Sequence, residues 1–126
     1  MIKNLLIVAL GGGIGSVLRY LISSYLQKGA DGAFPWGTFT VNIVGSLIIG
    51  MLYGLSERGE FMTNELKLLL VVGLCGGFTT FSAFANEIFT LTKGGEFLQV
   101  ALYTSLSVTL GFLFVYLGYS VINLTR

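Results

Sequence analysis

The chain has 126 residues, 54% of them hydrophobic, and only 10% carry a formal charge, against roughly 25% in an ordinary soluble domain. Seven basic and six acidic side chains cannot cover a water-facing surface of this size, so the natural solvent is a lipid bilayer. A net charge of +1 offers no footprint for nucleic acid, and the lack of histidine with a lone cysteine, Cys75, argues against metal enzymology and disulfides.

A helix needs ~20 predominantly apolar residues to cross a hydrocarbon core of about 30 Å. Four stretches reach that length, which predicts an all-α integral membrane protein of one domain, 1–126, with spans at 4–26, 35–56, 66–91 and 97–122. In the first span Lys3 precedes an apolar run, and Ala9-Leu10-Gly11 looks like a leader cleavage site. Its apolar core would cover only 5–10, however, and hydrophobicity resumes beyond the glycines, so the whole stretch is read as a span. Its single charge, Arg19, either snorkels to the headgroups or acts electrostatically, drawing anions to a vestibule or anchoring a neighbouring helix.

The second span is free of charge and aligns Thr38, Asn42 and Ser46 at intervals of four, one polar stripe on an apolar helix. Asn42 is its sharpest member, because an amide with two donors must face protein or water. Pairs of glycines four apart, Gly11/Gly15, Gly50/Gly54 and Gly73/Gly77, predict faces where helices approach closely.

In the third span, Gly73-Leu74-Cys75-Gly76-Gly77-Phe78-Thr79-Thr80-Phe81-Ser82 gathers glycines and hydroxyls in mid-membrane. A break in the helix is expected there, since loosened backbone at that depth is tolerated where it lines a cavity or holds an ion. Beyond it, Phe81 and Phe84 share a face, followed by Ser82, Asn86 and Glu87. The partly positive edge of a phenyl ring can meet an anion without trapping it. Glu87 is read as a vestibule carboxylate or a snorkelling one, and Tyr103 and Ser107 form a second polar stripe on the fourth span.

Charges cluster between the spans: Lys28 and Asp31, then Glu57, Arg58, Glu60, Glu65 and Lys67, then Lys93 and Glu96. Lys3, Arg58, Lys67 and Arg126 fall on one side, Lys28 and Lys93 on the other, joined by Arg19 if it snorkels there. So even a division gives little orientation preference under the positive-inside rule, which permits insertion both ways up and an antiparallel dimer.

These residues resemble the CrcB/Fluc fluoride channels of bacteria along essentially the whole chain. The motifs are Gly12-x-x-Gly15-x-x-x-Arg19-Tyr20, Pro35-x-Gly37-Thr38-x-x-x-Asn42-x-x-Gly45, and Gly73-x-x-Gly76-Gly77-x-Thr79-Thr80-Phe81-Ser82-x-Phe84. The resemblance implies an antiparallel dual-topology homodimer with two pores in the inner membrane, passing fluoride and catalysing no reaction. It places Asn42, Phe81 and Phe84 on the fluoride path, with Thr38 and Ser82 beside them and Tyr103 and Ser107 on a hydroxyl track. It also implies a structural sodium ion at the dimer centre, held by the carbonyls of Gly76 and Thr79. One turn beyond Ser107 some members carry another hydroxyl where this chain has Gly111, leaving water, Thr104 or Thr109 as substitutes.

Two other classes fit four short spans. A small multidrug-resistance exporter needs a titratable acid in its first span, where this chain has Arg19. A membrane scaffold explains the glycines but not Asn42, Thr79, Thr80 and Ser82 at mid-membrane depth.

Overall fold

The computed structural model describes residues 1–29, 32–59 and 63–124. Asp31, Glu60 and Arg126, charges expected outside the spans, lie outside the described residues. Four membrane-spanning helices make up the protein: α1 (Ile2–Lys28), α2 (Trp36–Arg58), an interrupted third span over Asn64–Lys93, and α6 (Phe97–Leu124). The third span comprises α3 (Asn64–Lys67), a π-helical segment (Leu68–Cys75), α4 (Gly76–Phe78) and α5 (Phe81–Lys93).

Local chemistry sets the ends. Pro35, which cannot continue a preceding helix, precedes α2, and Gly59 closes it in the left-handed conformation (φ 74°), its amide bonding to the carbonyls of Leu55 and Ser56. The Thr63 hydroxyl caps α3 by accepting from the Leu66 amide. The helices run slightly past the charge-free stretches, ending on Lys28, Arg58 and Lys93, cations that complement the carbonyl end of a helix.

α2 sits at the centre, against α1, the parts of the third span and α6. The expected glycine faces are all used within the chain. A Cβ on Gly15 would lie 2.2 Å from the Leu74 carbonyl oxygen, and one on Gly77 would lie 2.5 Å from that of Gly12, so α1 and the third span meet backbone to backbone. Gly50 meets Val115 of α6 at 2.0 Å by the same measure. In contrast, Leu10, Ile14, Val17 and Leu18 on the outer side of α1 are exposed, as lipid-facing residues are.

Candidate functional site: the broken helix and its groove

The third span breaks at Thr79 and Thr80, both extended (ψ 159° and 123°) between α4 and α5. Two adjacent β-branched residues favour that conformation and the glycines before them weaken the helix. Upstream, the Gly76 amide bonds to the Val71 carbonyl five residues back, the π-helical pattern that often marks functional positions.

Every exposed backbone group of the break needs a partner in lipid, and the sequence motifs supply several. The Thr80 N–H donates to Asn42 Oδ1 (2.9 Å) and its carbonyl accepts from Asn42 Nδ2 (3.1 Å), so the asparagine pairs with both backbone groups of one residue as a neighbouring strand would. This double pairing also fixes which way the amide points. Arg19 Nε donates to the Gly77 carbonyl (3.0 Å), which makes Arg19 an anchor of the broken helix from α1. Thr80 Oγ1 caps α5 by accepting from the Ala83 amide (3.1 Å), and Thr79 Oγ1 donates to the Cys75 carbonyl (2.9 Å). The Thr79 methyl occupies the space where a Cβ on Gly45 would stand, at 2.2 Å, which explains that motif glycine.

The break opens into a groove of about 350 Å³ lined by Asn42, Ser46, Ile49, Thr79, Thr80, Phe81, Phe84, Ser107, Val108 and Val115. Asn42, Phe81, Phe84 and Ser107, each singled out by the sequence, therefore converge. Phe81 and Phe84 stand 6.0 Å apart between ring centroids. Phe81 is 79% exposed, so one side of the groove is open in a single chain. Ser107 Oγ is buried without a hydrogen-bond partner among the described residues. Ser82 lies outside the lining, exposed, with its hydroxyl 3.4 Å from Thr80 Oγ1. Thr104 and Thr109, offered as substitutes for a hydroxyl at 111, do not line the groove either.

Thr38, Tyr103 and Glu87 form a separate cluster toward the other end of α2. Thr38 Oγ1 donates to Glu87 Oε2 and Tyr103 OH to Glu87 Oε1, each at 2.9 Å. The carboxylate is thus held between α2 and α6, and it faces a small polar cavity of about 170 Å³ with Ser23, Ser24 and Gln27. Tyr103 is fully buried, and its ring links Phe84 (4.9 Å) to Phe34 (5.5 Å). Gln27 had no signal in the sequence: its amide accepts from the Gly37 N–H (3.2 Å) and donates to the Phe34 carbonyl (3.4 Å), closing the connection between α1 and α2.

Chemically the groove suits an anion. The amino-terminal end of the 13-residue α5 brings partial positive charge to it, and hydroxyl, amide and ring edges supply weak donors without a fixed cation. On the opposite side of the break, the Thr80 and Ala83 amides that a continuous helix would send to the Gly76 and Thr79 carbonyls are diverted to Asn42 and to Thr80 Oγ1. Those two carbonyls are chemically suited to a hard cation.

The pattern of the family described as CrcB-like protein, Camphor Resistance (CrcB), matches residues 6–119. A relative from Phocaeicola vulgatus, named fluoride-specific ion channel FluC, is 49% identical over 116 residues, covering 92% of this chain and 95% of its own. Relatives with the same name from Flavobacterium psychrophilum (46% identical; 92% and 94% covered) and Leptospira interrogans (42%; 92% and 91%) are similar along the same length. The chain belongs to the CrcB-like family of multi-pass membrane proteins.

Proposed function

We propose that this protein is a fluoride-selective channel that lowers cytoplasmic fluoride by passive export across the bacterial inner membrane. One observation carries the reading: at mid-membrane depth a helix is interrupted so that its amino terminus, two phenyl rings, Asn42 and an unpartnered serine hydroxyl face one groove. Irregular backbone at membrane depth is tolerated where protein satisfies it or where it lines a cavity, and here it does both, while the unpartnered Ser107 hydroxyl is left facing the cavity. The names of the relatives supply the ion.

Fluoride is small and tightly hydrated, so a conducting path must replace its water with donors yet hold it weakly enough to let go. Ser107 and the second N–H of Asn42 offer hydrogen bonds, and the ring edges of Phe81 and Phe84 offer weaker attraction. Thr38 and Tyr103 satisfy both oxygens of Glu87, which blunts its repulsion of an anion near the mouth. Arg19 holds the break in place and adds positive potential beside it.

The open side of the groove, with Phe81 exposed, requires a second wall, and a second copy in antiparallel orientation would supply it and give two pores per homodimer. The near-even division of positive charge supports insertion in both orientations. The carbonyls of Gly76 and Thr79 would hold a structural sodium ion on the dimer axis, fastening the two broken spans together. Purified protein in liposomes should release fluoride and retain chloride. Equal release of both ions, or none, would overturn the proposal, and fluoride-independent, proton-driven uptake of organic cations would indicate an exporter.

A further inference from the structure

Tyr103, Ser107 and Gly111 follow one another at intervals of four on α6, so they share a face at about 6 Å per step. The Tyr103 hydroxyl is committed to Glu87, whereas Ser107, whose Oγ has no partner among the described residues, lines the groove. At Gly111 the face has no side chain, although the groove continues past that level to Ile49 and Val115. An anion leaving Ser107 in that direction would meet a stretch of α6 without a donor.

The structure fills this gap from the opposite helix. Outside its own stretch of α6, the one atom among the described residues within 4 Å of a Cβ built on Gly111 is Ser46 Oγ of α2, at 3.7 Å. Ser46 lines the same groove one turn beyond Asn42, and its hydroxyl donates to the Asn42 carbonyl at 2.8 Å. That bond is easily exchanged. In the continuous α2 the Asn42 carbonyl also receives the Ser46 backbone amide, so a hydroxyl that rotates toward an anion leaves no orphaned acceptor behind.

We infer that Ser46 is an anion-coordinating residue of this groove, supplying across the α2–α6 seam the hydroxyl that α6 lacks at Gly111. The inference rests on the fluoride-channel reading and adds a ligand to it. A purely local serine would behave differently: a hydroxyl bonded back to its own helix contributes little, and its removal would leave conduction unchanged.

Fluoride efflux from liposomes is the test, with the parent protein, Ser46→Ala, Ser46→Thr and the double variant Ser46→Ala/Gly111→Ser, each shown by gel filtration to retain the parent's assembly. Ser46→Ala should slow efflux about tenfold, the loss of one hydrogen bond to a charged ligand. Ser46→Thr keeps the hydroxyl and should remain within about threefold of the parent. The double variant moves the hydroxyl across the seam, where a Cβ at 111 meets only an ordinary contact, and should recover most of the lost rate. A parent that conducts fluoride and a Ser46→Ala variant that conducts equally well would overturn this assignment alone. Failure of the double variant to recover any rate would also overturn it, marking the loss as one of packing. A parent that does not conduct fluoride would overturn the channel reading itself.

Discussion

Two seams of the bundle are built with glycine and put to different uses. Between α1 and the first part of the third span, Gly11, Gly15, Gly73 and Gly77 bring backbone against backbone, and one side chain, Arg19, reaches across to a carbonyl. Between α2 and α6, glycines close only one end, where Gly50, Gly54 and Gly118 meet the other helix. At the other end Thr38, Asn42, Ser46, Tyr103 and Ser107 take over, and at Gly111 the absent side chain leaves room next to a hydroxyl instead of contact with a backbone. The same residue type thus means contact in one setting and space in the other, decided by what stands opposite.

The sharpest way to break the first seam is Gly15→Ala. Its Cβ would meet the Leu74 oxygen at 2.2 Å and the Phe78 amide nitrogen at 2.9 Å, atoms that cannot move without shifting the third span. We expect a loss of about 3 kcal/mol in stability, read from thermal unfolding in detergent. Gly13→Ala has nothing within 4 Å and the same gain in helix propensity, so it should be neutral or slightly stabilising.

Asn42→Asp tests the polar seam with a smaller structural effect and a large functional one. It places an oxygen opposite the Thr80 carbonyl in place of Nδ2, setting acceptor against acceptor, and adds negative charge if ionised. Fluoride efflux should fall below detection, with a stability loss of about 2 kcal/mol for the broken pairing. Full conduction by a folded Asn42→Asp protein would remove Asn42 from both roles.

Much of this architecture was legible in the sequence, and for identifiable reasons. Span length follows from apolar runs, and the stripe Thr38, Asn42, Ser46 from a period that places all three toward the third span and α6. The break was readable because glycine, adjacent threonines and a capping hydroxyl coincide at 76–80. The π-helical segment was not: in 68–75, LLLVVGLC, a shift from the fourth to the fifth residue back changes no side chain. Nor were the partners of Asn42, Arg19 and Glu87, since periodicity gives the face a side chain occupies but not the atom it meets. Glycine faces announced close packing without saying that the partners lie within the chain, and Gly111, outside any such pair, was readable only as a missing hydroxyl.

Substituting the rings should have an intermediate effect, larger on function than on stability. Phe81→Ile and Phe84→Ile keep apolar volume roughly similar and remove the ring edge, so each should slow fluoride efflux about tenfold. Phe84 also contacts Tyr103 at 4.9 Å, so its variant should lose about 1 kcal/mol of stability where that of the exposed Phe81 loses less. Equal destabilisation without loss of conduction would mark both rings as packing.

The most direct measurement of the claim that the groove conducts is fluoride and chloride efflux from liposomes holding the parent protein or Ser107→Ala. This substitution removes the one buried side-chain oxygen without a partner among the described residues, so it breaks no hydrogen bond within the chain. The account predicts fluoride-selective efflux by the parent and a roughly tenfold slower rate for a fully folded Ser107→Ala protein, with stability unchanged or slightly raised. Undiminished fluoride efflux through Ser107→Ala would contradict it and place the path elsewhere.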